Sequence, residues 1–270
     1  MDIQPINKIF ELKTSQPNGL RSVIKFINKF VTKCAMILES NRFFIYALTE
    51  TKDVWIKIIF SIDKFEKYSY TESKNIIWID TNELLDVLNE SYQADQNGIM
   101  IFHINSNDTN NLHIKYIYGE GKVTKQVHST DTYTQTIKTV CHGRTISFEL
   151  PVVHDLHQIL QVPQTTFNTK ITISTDTFRT ICNDHTNNYF CIKNNGNEYL
   201  IHTDNPDTEI FEKYDNVYDL GIVSKFVDLD ESSSTYDIYI KEDFPMCIKI
   251  RMGGGLANIN ALISPAIIGK

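Results

Sequence analysis

Polar and apolar positions alternate with a period of two over much of this chain. In Met246-Cys247-Ile248-Lys249-Ile250-Arg251-Met252 the even positions are apolar and two of the three odd ones are charged. Thr145-Ile146-Ser147-Phe148-Glu149-Leu150 alternates without exception, Val54, Ile56, Ile58 and Phe60 line one face of another run, and residues 235–241 behave similarly. Patterning of this density predicts antiparallel sheets, each with one buried face.

Helical periodicity is rarer. Over residues 20–33, at about 100° per residue, Leu20, Val23, Ile24, Phe26, Ile27, Phe30 and Val31 share one arc. The opposite arc holds Arg21, Lys25, Lys29 and Lys33 and no acid. A second helix is predicted over residues 82–90, after a strand at 76–79 and with Asp80 or Thr81 as its cap; its polar face carries Glu83, Asp86 and Glu90. Two more are predicted at 176–184, burying Phe178, Ile181 and Cys182, and at 218–227, burying Ile222, Val223, Phe226 and Val227.

The order of elements repeats. A strand at 8–12 leads to a helix, strands, a helix and more strands, and the same order returns from the strand at 168–174 onward. The expected fold class is therefore α+β with two similar domains, 1–150 and 167–270, joined by a connector at 151–166 that contains Pro151 and Pro163 and lacks periodicity. The polar, Thr-rich stretch 119–143 reads as an extended loop or loose hairpin.

Composition narrows the field. The chain has 270 residues, is 41% hydrophobic and 22% charged, and carries 26 basic against 33 acidic residues for a net charge of −7. These values exclude a disordered chain and a generic basic coat for nucleic acid, so any DNA contact must come from a local patch. No apolar run is long enough to span a membrane. Met1-Asp2-Ile3-Gln4-Pro5 lacks a signal-peptide pattern, so the expected location is not secretory. Five well-separated cysteines (Cys34, Cys141, Cys182, Cys191 and Cys247) argue for reduced thiols rather than a disulfide framework.

The usual catalytic signatures are missing. Gly253-Gly254-Gly255 is followed by neither Lys-Ser/Thr nor a helix start and reads as a hairpin turn. Cys141, His142, His154 and His157 match no metal-ligand spacing. The expectation is a protein that is not an enzyme and holds no cofactor or metal. Two features remain. Four like charges at helical spacing either belong to a solvated face or form a stripe aimed at a polyanion such as DNA. The apolar residues of the connector, Val152, Val153, Leu156, Ile159, Leu160 and Val162, either pack on a sheet or border a groove for a partner peptide, and composition favours packing.

Several segments resemble the sliding clamps of the proliferating cell nuclear antigen (PCNA) type. Leu160-Gln161-Val162-Pro163-Gln164 and the following Phe167 resemble the end of the clamp's connector. Residues 177–184, TFRTICND, resemble its Phe-x-x-Ile-Cys-x-Asp helix. Asp243-Phe244-Pro245-Met246 and Leu262-Ile263-Ser264-Pro265-Ala266-Ile267 are similar to its Asp-Val-Pro-Leu strand and its C-terminal tail. Phe10-Glu11-Leu12 and the basic helix fall where the family's first strand and first helix lie, so the resemblance covers nearly the whole chain in order.

The resemblance implies two clamp domains per subunit, with helices inside and sheets outside, and three subunits that close as a homotrimer around duplex DNA. It implies DNA contact through Arg21, Lys25, Lys29, Lys33, Arg179 and Lys225. A peptide pocket for a DNA polymerase and other clamp-binding proteins would use Leu48, Val54, Leu160, Val162, Phe167, Pro245, Leu262, Ser264, Pro265 and Ile267. A clamp loader is a further candidate partner, and the location would be the nucleus or a cytoplasmic viral replication site. Thr145–Leu150, with Ile146, Phe148 and Leu150, is expected as the subunit edge.

The chain departs from the family in its acidic second helix, its longer 119–143 segment and its shorter 205–219 region. Its Asn- and Ile-rich composition fits an AT-rich genome such as that of a large DNA virus or a protist. Two competing readings stand beside the closed homotrimer. One is a subunit of a heterotrimeric checkpoint-type clamp, or a clamp-like viral factor without a closed homotrimer. The other is an enzyme using the histidines of the connector.

Overall fold

The alternation near the start of the chain becomes β1 (Lys8–Thr14), which buries Phe10, Leu12 and Thr14. The computed structural model describes residues 7–119, 126–129, 134–140, 143–154, 165–183, 186–196, 198–205, 214–227, 229 and 234–266. The chain divides into two compact units: Met1–Ala47 with Ile58–Leu160 and Gly255–Ala257, and Leu48–Lys57 with Gln161–Gly254 and Asn258–Lys270.

In the first unit β1 is followed by α1 (Pro17–Asn28), β2 (Lys33–Glu39) and β3 (Arg42–Leu48), and then by β4 (Val54–Phe60), which the two units share. β5 (Lys67–Tyr70), β6 (Lys74–Asp80), α2 (Thr81–Ala94), β7 (Ile99–Asn105) and β8 (Asp108–Tyr118) come next. β9 (Gln126–Ser129), β10 (Thr134–Val140), β11 (Gly143–Pro151) and β12 (Val153–His154) complete it. One antiparallel sheet runs β5-β1-β7-β8-β11-β10-β9, and another set runs β12-β6-β2-β3. α1 packs on α2, and Leu20 and Ile24 of α1, Leu84 and Leu88 of α2, Phe102 of β7 and Phe43 of β3 line one common apolar space. Phe43 stacks on Phe60 with ring centroids 4.5 Å apart.

The second unit has β13 (Thr169–Ser174), α3 (Thr175–Cys182), β14 (Tyr189–Asn194), β15 (Tyr199–Asp204) and β16 (Asn216–Asp219). One helical turn, α4 (Leu220–Val223), passes into a 3-10 turn at Ser224–Phe226 and is followed by β17 (Thr235–Ile240), β18 (Met246–Arg251) and β19 (Ala257–Ile263). Its strands run β15-β14-β16 in one sheet, and β19-β18-β17-β13 with β4 beside β19 in another. Phe178, Phe190 and Tyr236 form a fully buried aromatic core, with Phe178 and Tyr236 stacked at 4.5 Å. Helices mixed with antiparallel sheets bear out the predicted α+β class, and each unit shows the expected strand–helix–strands–helix order.

Cys34, Cys182, Cys191 and Cys247 are buried thiols outside any disulfide. Burial, with Asp80 adding to it at Cys34, pushes the Cys34 thiol up to about 12; burial alone takes Cys182 to about 12, and it takes Cys247 to about 11 against the pull of Lys249.

Three expectations need correction. The first helix ends at Asn28 instead of continuing to Lys33. The carbonyls of Val31 and Thr32 accept bonds from the hydroxyl and N–H of Thr81, and Lys33 pairs with Asp80 across β2 and β6. Residues 218–227 do not make one helix: Tyr218 lies on β16, and Asp219 caps only a single turn through the N–H of Ile222. The 119–143 stretch, by contrast, takes the hairpin form among its two expected readings, with β9 and β10 paired antiparallel. Finally, β11 is not an open edge. It pairs with β8 along its length and with β10 through Glu149, so the backbone at Ile146 and Phe148 has a strand on both sides, and the side chains of Ile146, Phe148 and Leu150 are buried. The sheet ends at β9 instead.

Candidate nucleic-acid interface and peptide site

α1 starts with Pro17 in its first turn, a position where a missing N–H costs nothing, and buries Leu20, Val23, Ile24, Phe26 and Ile27. That burial leaves Arg21 and Lys25 on the outer arc, one turn apart. Arg21 is not simply solvated. Its Nε donates to Asn89 Oδ1 of α2 at 2.7 Å, and its guanidinium lies over the Tyr92 ring at 4.5 Å from the centroid. Lys25 is exposed, and Lys29 is the half-buried C-cap, with its N–H bonded to the Phe26 carbonyl at 3.2 Å. Lys33 opens β2, off the helix.

α2 is capped by the Asp80 carboxylate, which accepts from the N–H groups of Asn82 and Glu83 at 2.8 and 3.2 Å. Burial and the neighbouring carboxylates of Asp80 and Asp86 push the Glu83 carboxyl up, and Lys33 draws it partly back. Lys33 thus stands on β2 beside the acidic start of α2, off the helix that carries Lys25. In the second unit Arg179 pairs with Asp176 on the same helix at 3.3 Å, and Lys225 sits half-buried on the 3-10 turn. The six cations proposed from the sequence therefore separate into an exposed one on α1 (Lys25), its neighbour at the cap (Lys29), a helix–helix brace (Arg21) and three tied to local partners or turns.

Of the expected pocket residues, Leu160, Val162 and Ile267 lie outside the described residues, as do Cys141, His142 and His157. The structure brings Phe167, Pro245 and Leu262 to the second unit. Phe167 packs against Tyr239 and Phe244 with both centroid distances 5.7 Å, and Lys241 donates to Thr165 Oγ1 at 2.5 Å beside them. The Ser264 N–H donates to the Asp53 carbonyl at 2.8 Å, tying the tail with Pro265 to the turn after Leu48. Val54 does not line an open surface: it is 1% exposed because the alternation of β4 turns it inward with Ile56. Tyr239 and Phe244 were not among the expected pocket residues, although alternation with buried Ile238 and Ile240 already turned Tyr239 outward.

His154 is exposed, with Nε2 2.7 Å from the Thr109 carbonyl. Among the described residues no group of His, Cys, Asp and Glu is arranged to hold a metal ion.

No family model matches the chain. It is 21% identical over 259 residues to uncharacterized protein L823 of Acanthamoeba polyphaga mimivirus, covering 90% of this chain and 74% of that protein. Among solved structures it resembles PCNA from Entamoeba histolytica, with a TM-score of 0.70 at 12% identity over 96% of this chain and 100% of that one. It also resembles the PCNA2–PCNA3 complex from Sulfolobus tokodaii, with a TM-score of 0.69 at 15% identity over 94% and 98%. The fold is that of the PCNA-type sliding clamp over 94–96% of the chain.

Proposed function

We propose that the protein is a DNA sliding clamp subunit, a non-enzymatic processivity factor that holds a DNA polymerase and other partners on duplex DNA. The observation that carries this reading is the clamp fold over 94–96% of the chain, including both helix-bearing units. α1 would face the phosphates chiefly through Lys25 and Lys29. Phe167, Pro245, Leu262, Ser264 and Pro265, with Leu160, Val162 and Ile267 of the connector and tail, would take the partner's peptide. Residues 151–166 would serve as the connector between the clamp domains, and the setting would be a nucleus or a viral replication site.

Retention on DNA tests this reading. The protein, supplied with a clamp loader if it does not load alone, is expected to stay on covalently closed circular DNA through a high-salt wash and to leave once the circle is cut. Equal loss from circular and linear DNA would overturn encirclement.

A second reading is favoured by β10, which occupies the edge that β11 would otherwise offer to a neighbouring subunit. In this reading the chain is a clamp-like factor that does not close a homotrimer through that edge, and a mass of one chain in light scattering would support it.

A further inference from the structure

The outer face of the β13–β17–β18–β19 sheet carries a charge opposite to that of the chain. Cross-strand register places Leu262, Cys247, Tyr239 and Lys170 in one row across the strands. The next row is Asn260, Lys249, Asp237 and Thr172, and Arg251 follows on β18 opposite Asn258. The first row is apolar up to its end and continues through Tyr239 to Phe167 and Phe244. The ammonium of Lys249 lies over the Tyr239 ring at 4.5 Å and that of Lys170 at 5.8 Å.

Asp237 is the one acid on these rows, and it is already taken: Lys170 lies 2.9 Å away, and Thr172 donates to it at 2.8 Å. Lys249 and Arg251 are exposed; the field of Arg251 helps to hold the Asp237 carboxyl below its ordinary range, but the carboxylate itself is bonded to Lys170 and Thr172. In a chain with a net charge of −7, such a surface attracts anions that most of the molecule repels.

We propose that this face selects partner segments whose acidic residues stand next to an aromatic anchor. The inference rests on the peptide-binding reading given above and adds to it the chemistry of the partner. Rows on a sheet are two residues apart along the strand, about 7 Å, which an extended peptide also spans in two residues. A segment that sets its aromatic side chains against Leu262, Tyr239 and Phe167 therefore brings carboxylates two residues away over Lys249 and four residues away over Arg251. Direction is fixed too. Glu242 and Asp243 are exposed in the turn beside Phe244, so the acids of the partner must lie toward Arg251 and away from that turn.

Fluorescence anisotropy with three labelled peptides tests the proposal. All share a Phe-Phe pair, which is followed by aspartates, lysines or serines. The aspartate peptide is expected to bind about tenfold tighter than the lysine peptide at moderate salt, and the preference is expected to vanish or invert in Lys249→Glu/Arg251→Glu. Both positions are exposed, and an unchanged melting curve confirms that this variant folds. Equal binding of all three peptides overturns the charge selection and leaves the peptide site standing. No binding by any of them overturns both. If oligothymidylate binds the wild type, fails with the double variant, and the peptides do not bind at all, the face is a nucleic-acid surface and the proposal falls.

Discussion

Tyr118 of β8 and Arg144 of β11 face each other as a cross-strand pair although residues 119–143 separate them in sequence. Gly119 already adopts the left-handed backbone, with φ of 52°, and Gly143 immediately precedes Arg144. Residues 120–142 are thus an excursion from what would otherwise be a tight hairpin. Joining Gly119 to Gly143 leaves a two-residue Gly-Gly turn between paired ends, a favoured hairpin geometry. The deletion is expected to fold and to expose β11 as an open edge, which invites strand pairing between copies. Light scattering should show a mass that rises with concentration relative to the intact chain; an unchanged mass would mean that β11 is not an association edge.

Arg21 and Lys25 should behave differently despite lying one turn apart. Arg21→Ala removes the bond to Asn89 and the contact with Tyr92, so it is expected to cost about 1–2 kcal/mol in urea unfolding. Lys25→Glu with Lys29→Glu should flatten the log–log salt dependence of DNA binding by about 2. An unaltered salt slope in the double variant would remove α1 from the DNA interface.

Gly98 is held to glycine by Tyr116. A Cβ at position 98 would come within 2.3 Å of Tyr116 Cζ, and the buried phenol is pinned by the Gly98 N–H at 2.8 Å and by the Asp95 carbonyl. Gly98→Ala is expected to lower stability by about 1–3 kcal/mol, read from the denaturant midpoint.

His103 predicts an acid-sensitive first unit. Burial first, then Lys115, His113 and Lys8, with Glu11 opposing them, lower it from 6.5 to about 3. Between those values the unfolded chain takes up a proton that the folded chain refuses. Stability should therefore be full above about 6.5 and fall as pH drops toward 3, by about 1.4 kcal/mol per pH unit from this group. In His103→Gln the slope of stability against pH over that window should be shallower.

Alternation read the strands well because it reports directly which face is buried: Val54 to Phe60 and Thr235 to Ile240 bury the residues that the pattern assigns. It was also a better guide than the family resemblance at Val54, which the pattern turns inward. The end of α1 was not legible, because the apolar arc runs on through Phe30 and Val31 while the bonds that stop the helix come from Thr81, fifty positions away. Sheet edges were illegible for the same reason. Residues 145–150 announce a strand, and nothing in them reveals that β10 lies alongside. Arg21 read as a DNA contact because its partners Asn89 and Tyr92 sit on another helix.

The buried cysteines turn the chain into its own clock. Cys34 belongs to the first unit, and Cys182, Cys191 and Cys247 to the second, all of them shielded and, where burial raises the thiol, poor nucleophiles. In the native state an alkylating reagent can label these four only when the surrounding structure opens. Mass spectrometry of timed labelling therefore counts openings, and the position of each adduct says which half of the molecule breathed first.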